Sequence, residues 1–130
     1  MSRKKECIGG ALVINGRTLS LSKAVRADNF IFLTGQVPMQ DGVPMTRGTI
    51  EEQTRSCIEH IRATLLDCGC DLSDVVKSTV WLKDREDFPG FNAVYAEYFQ
   101  EEPPARTGLV GDFLIDIKVE IECIALVPAD

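Results

Sequence analysis

The chain has 130 residues, 45% of them hydrophobic and 26% charged, which suits one soluble domain and excludes wholesale disorder. A chain of this length buries about two-thirds of its unfolded surface, so it needs neither disulfides nor a structural metal to fold. Twenty acidic against fourteen basic residues give a net charge of −6, which speaks against nucleic acid as the main partner.

No apolar stretch approaches the roughly 20 residues that span a bilayer, so no membrane partner is expected. The basic start at Arg3-Lys4-Lys5 is followed only by the short apolar mix Cys7 to Ile14, and no export signal is read in it. Five cysteines without a framework spacing read as reduced thiols in a cytoplasmic protein.

Taken in chain order, Ala11 to Ile14, closed by Asn15-Gly16, reads as a short first strand. Leu19 to Ala27 and Phe30 to Gln36 follow as strands around an Asp28-Asn29 hairpin turn. Met39 to Gly48 is polar and turn-rich and reads as a loop. Thr49 with Glu52 forms a capping box, and Ile50, Thr54, Cys57, Ile61, Leu65 and Cys68 recur at helical spacing until Gly69 stops the helix. Val75 to Leu82 is a β-rich run. Asp87 and Pro89 open a second helix with Phe91, Val94, Tyr95, Tyr98 and Phe99 on one face, ended by Pro103-Pro104. Ala105 to Val110 and Asp116 to Val127 complete the chain as strands.

The order ββ-α-β-α-ββ predicts a single α+β domain over 1–130, a mixed sheet with two helices on one face. In the last strand Ile117, Val119, Ile121, Cys123, Ala125 and Val127 share one side. Lys118, Glu120, Glu122, Ile124 and Leu126 share the other. Two helices cannot cover both sides, and a semi-apolar second face implies burial against further copies of the chain, hence a closed oligomer.

Motifs for common chemistries are absent. No phosphate loop or Gly-X-Ser-X-Gly elbow occurs. The single histidine, His60, sits at the edge of the first helix's apolar face and reads as a boundary residue. Cys68-Gly69-Cys70 has no second pair and reads as helix-end packing, so no metal is expected. With one histidine and no paired serine or cysteine, triad catalysis is disfavoured. What remains is Arg106 beside two carboxylates, Glu120 and Glu122. A guanidinium is the best side chain for a two-point grip on a carboxylate, and a nearby glutamate can move a proton. Glu120 and Glu122 share a strand face about 6–7 Å apart, close enough to raise one pKa if buried. A plain surface role for all three stays open at this point.

Five segments in register resemble the reactive-intermediate deaminase family, the Rid or YjgF family, once described as ribonuclease-like. They are Phe32-Leu33-Thr34-Gly35-Gln36-Val37-Pro38, the run Val76 to Asp84, Phe91-Asn92-Ala93-Val94-Tyr95 before Tyr98-Phe99, Pro104-Ala105-Arg106-Thr107, and Lys118 to Ala125. Together they cover about 20 to 127. The resemblance implies a chorismate-mutase-like fold assembled as a homotrimer around a central β-barrel, with ligand sites in clefts between subunits. It implies hydrolysis of reactive carboxylate-bearing enamines and imines to ketoacids and ammonia, without metal or organic cofactor. It also implies roles: Arg106 holds the substrate carboxylate, Glu120 handles the attacking water, and Thr34 and Gly35 line the pocket. Asn92, on the second helix, and Thr107 belong to the same implied site.

Two positions depart from the family pattern. Leu21 stands where active deaminases carry a pocket tyrosine, and Gly108 stands where many carry a cysteine. Leu21 removes a hydroxyl and Gly108 enlarges the pocket, which implies a divergent branch whose substrate is either bulkier or not the simple amino-acid-derived enamine. The alternative is a non-catalytic trimer that binds small carboxylates. RNA cleavage, the older family description, is argued against by the acidic charge and lone histidine.

Overall fold

A computed structural model describes residues 5–129. Eight strands and two α-helices are present: β1 (Lys5–Ile14), β2 (Arg17–Ala27), β3 (Phe30–Leu33), β4 (Met39–Gln40), β5 (Val43–Pro44), α1 (Ile50–Asp67), β6 (Val75–Leu82), α2 (Phe88–Tyr98), β7 (Ala105–Val110) and β8 (Val119–Leu126). Six of the strands form one sheet in the order β1-β2-β3-β8-β6-β7, and β4 and β5 pair separately. All neighbours in the main sheet are antiparallel except β6 and β7. That parallel pair is joined through α2, the crossover a parallel connection needs.

Both helices lie on one face of the sheet. Ile50, Thr54, Cys57, Ile58, Ile61 and Leu65 of α1 and Phe91, Val94 and Tyr95 of α2 are buried. All of these but Thr54 and Val94 meet Ala24, Ile31, Leu33, Val80, Leu82, Val119, Ile121, Cys123 and Ala125 of the strands in one core. The capping box forms as expected: Glu52 N donates to Thr49 Oγ1 (3.1 Å) and Thr49 N to Glu52 Oε1 (3.1 Å). Gly69 takes left-handed backbone (φ 76°) after Cys68 at the helix end, with Cys70 buried. His60 is exposed, its Nδ1 donating to the Ser56 carbonyl (2.7 Å).

The opposite face of the sheet carries no helix. Phe30, Phe32 and Leu126 are each 43% exposed there. Trp81, Thr79 and Lys77 of β6 stand beside Glu120, Glu122 and Ile124 of β8 on the same side.

Several boundaries differ from the expectations, among them the second strand, which begins at Arg17 rather than Leu19. The first strand spans ten residues rather than the four from Ala11; Gly9 and Gly10 have positive φ (81° and 73°) at a pairing irregularity, and this masked the strand in the sequence. Within the expected loop at 39–48, β4 and β5 pair around Asp41-Gly42, both with positive φ. The third strand ends at Leu33, not Gln36. Thr34 and Gly35 leave the ladder, and Gln36 rejoins it in a bridge to Ile121. The last strand begins at Val119, not Asp116, because the Lys118 N–H donates to the buried Gln53 side chain (2.8 Å).

Candidate active site

The break in β3 builds the first half of the site. Gln36 N donates to Ile121 O (2.7 Å) and Ile121 N to Gln36 O (3.0 Å). These bonds press the Thr34-Gly35 step against the residue before Ile121, which is Glu120. The carboxylate of Glu120 lies so close over Gly35 that a Cβ there would collide with Oε2. A side chain at 35 would therefore force the carboxylate to move aside; the φ of Gly35 is not in the positive range.

Glu120 is half-buried, and its carboxyl titrates above the ordinary glutamate range. Burial is the main cause, and the neighbouring Glu122 charge adds to it. The carboxyl faces a cavity of about 680 Å³. Leu21, Thr34, Gly35, Val37, Trp81 and Glu120 line it from the sheet. Leu12, Ile14, Arg17 and Leu19 line it from the β1–β2 hairpin, and Asp112 to Ile115 close it from the loop before β8.

The second half lies elsewhere. Arg106 is on β7, the edge strand, opposite Ser78 of β6. Ser78 is buried toward the helices, where its Oγ and the Tyr95 hydroxyl share a hydrogen bond (2.6 Å). Arg106 follows it to that side. Its guanidinium stacks 4.8 Å from the Tyr95 ring centre and 5.6 Å from that of Phe91, and Nη1 donates to Asn92 Oδ1 (2.9 Å). Aromatic faces and an amide oxygen hold the cation without neutralising it. Among the described residues no carboxylate lies within ion-pair distance of it. Arg106 and Gly108 border a smaller hollow of about 180 Å³ with Phe88, Phe91, Leu109 and Val110.

Of the residues expected from the sequence, Leu21, Thr34, Gly35 and Glu120 thus come together, and Arg106, Asn92 and Gly108 come together. Thr107 joins neither group: it faces the helix-free side, where Lys77 Nζ donates to its hydroxyl (2.6 Å). Sequence reasoning missed the hairpin wall of the larger cavity and Trp81. The alternation Leu12, Ile14 / Leu19, Leu21 around Asn15-Gly16 was the available signal.

Comparison with known proteins decides the family. Residues 17–127 match the family described as Endoribonuclease L-PSP. The chain belongs to the Rid/YjgF family. A RutC family protein of Pyrococcus horikoshii is 45% identical over 106 residues, covering 80% of this chain and 84% of that protein. A protein of Arabidopsis thaliana named Reactive Intermediate Deaminase A, chloroplastic, is 38% identical over 109 residues, covering 80% of this chain and 57% of that one. The crystal structure of yeast Mmf1 superposes with a TM-score of 0.87 at 28% identity, covering 96% of this chain and all of that one. The two-helix, one-sheet plan is accordingly the chorismate-mutase-like fold of this family.

Proposed function

We propose that the chain is a cofactor-independent deaminase that hydrolyses carboxylate-bearing imines and enamines, with each site assembled from two copies in a trimer. The observation that carries this reading is an unneutralised guanidinium on a fixed platform and, on the other face of the same sheet, a half-buried carboxylate in a cavity. The name of the Arabidopsis relative supports the reaction class.

Arg106 grips the substrate carboxylate in two-point fashion. The iminium carbon is already electrophilic, so positioning and one proton carrier suffice. Glu120 takes a proton from the attacking water as its oxygen bonds to the imine carbon, and returns it to the nitrogen. The C–N bond then breaks as Glu120 takes the remaining hydroxyl proton, the carbonyl forms, and ammonia leaves and accepts that proton. Burial of Glu120 raises its basicity for the first step.

Arg106 faces the helix side and Glu120 the helix-free side, which supports assembly of one site from two protomers. The exposed Phe30, Phe32 and Leu126 supply apolar surface for that contact, and a cyclic trimer with the sheets inward would bury them. A central barrel made of these faces follows.

The test is ketoacid release from an imine generated in place by oxidation of its parent amino acid. Wild type should accelerate it well beyond the Arg106→Ala variant; equal rates would show that this activity is not the protein's.

A second reading is a trimer that binds small carboxylates without turnover. Leu21 in the cavity wall favours it, since no hydroxyl stands at that point to orient a ligand. Ligand protection against heating with no hydrolysis of any imine tried would select it.

A further inference from the structure

The family match begins at Arg17, so β1 and its turn lie ahead of it. Asn15 and Gly16 both take positive φ (52° and 75°), the turn that twists a two-residue hairpin correctly, and Ile14 pairs with Arg17 across it. Along this arm the side chains alternate. Leu12 and Ile14 on β1 and Leu19 and Leu21 on β2 line the Glu120 cavity. Val13, Thr18 and Ser20 between them are exposed, Val13 at 47%. The arm thus turns its aliphatic face inward to the carboxylate and its mostly polar face outward. Arg17 ends the aliphatic row at the tip and is itself exposed.

An aliphatic wall is matched to an apolar guest, because a polar group placed against it would lose its water without gaining a partner.

We propose, resting on the deaminase reading above, that the β1–β2 arm is the side-chain pocket of the site. It selects imino acids with a bulky aliphatic side chain of the leucine type. Glu120 and Thr34 meet the reacting carbon, and Leu12, Ile14 and Leu19 meet the side chain. Added methylenes in an apolar pocket raise kcat/KM by about tenfold or more, which sets the scale of the preference.

The experiment compares kcat/KM for imines made in place from leucine and from alanine, for wild type and for a Leu12→Ser/Leu19→Ser variant. Wild type should favour the leucine-derived imine by about tenfold or more, and the variant should bring that ratio to about threefold or less. A wild-type ratio near one, or a ratio unchanged in a folded variant, overturns the proposal. Should the double variant fail to melt cooperatively, Leu12→Ala alone, which keeps strand pairing, gives the same ratio test. If neither imine is hydrolysed, the deaminase reading fails by itself. The arm is then judged by calorimetric binding of leucine's ketoacid against pyruvate: tighter binding of the former that Leu12→Ala abolishes upholds the pocket, and equal binding overturns it.

Discussion

Arg106 and Glu120 stand on opposite faces of one sheet. Arg106 is paired with Ser78 and Glu120 with Trp81, three residues apart on the shared neighbour strand β6. An odd offset reverses the face, and the two positions are also two strands apart, about 10 Å across and about 10 Å along. No side-chain rotation brings the pair together in one chain. In the proposed deaminase, a ligand touching both is held between two protomers.

Gly35→Ala tests the close approach to the carboxylate. The new methyl occupies the place of Glu120 Oε2 and drives the carboxyl out of position. The expected result is loss of about tenfold or more in kcat with a near-normal melting temperature, since misplacement by about 1 Å is that costly. Retained kcat would show that the carboxyl position does not matter.

Asn92→Ala removes the one hydrogen bond that the described residues give the Arg106 guanidinium. The aromatic platform remains, so the cation stays but wanders. KM should rise several-fold with kcat little changed, because hydrogen bonds to charged groups contribute about 1.5–3 kcal/mol and only part of that is lost. Arg106→Lys should fare worse than Asn92→Ala, since an ammonium neither stacks nor grips in two-point fashion.

Ser78→Ala leaves the buried Tyr95 hydroxyl without its partner. Burial already holds that phenol above the ordinary tyrosine range. A stability loss of about 1–3 kcal/mol is expected in denaturant unfolding. Tyr95→Phe added to Ser78→Ala should recover part of it, because both polar groups are then gone.

The raised Glu120 pKa has a defined sign. Its folded-state value lies above the unfolded one, so folding is favoured most at pH below the ordinary glutamate range. That contribution is lost as pH rises through the folded value. Glu120→Gln should therefore be more stable than wild type at neutral pH, with the difference fading toward acid. Activity moves the other way: it should fall in acid along a limb placed above the ordinary glutamate range, as the carboxylate takes up its proton.

The fold was legible where side-chain period and capping were strong. Helix α1 declared itself through Thr49, Glu52 and the Ile50-to-Leu65 spacing. The helix-free sheet face could be read from Glu120, Glu122 and Ile124 alternating with Ile121 and Cys123. Legibility failed where backbone geometry decided. Gly9 and Gly10 hid the first half of β1, and the Gln53 side chain, acting from 65 positions away, set the start of β8. The site residues were visible as types, but their distribution over two faces was not. That depends on the parallel pairing of β7 with β6, which no local pattern encodes.

The most direct test of the shared site mixes two inactive variants. Arg106→Ala and Glu120→Gln are purified separately, unfolded, combined in equal amounts and refolded together. In a closed ring each site takes its arginine from one copy and its glutamate from the next, so random mixing restores about a quarter of the sites. The account predicts recovery of about a quarter of wild-type ketoacid release in the mixture, against none for either variant refolded alone. A mixture as inactive as its components, in an oligomer shown to have exchanged subunits, would contradict it.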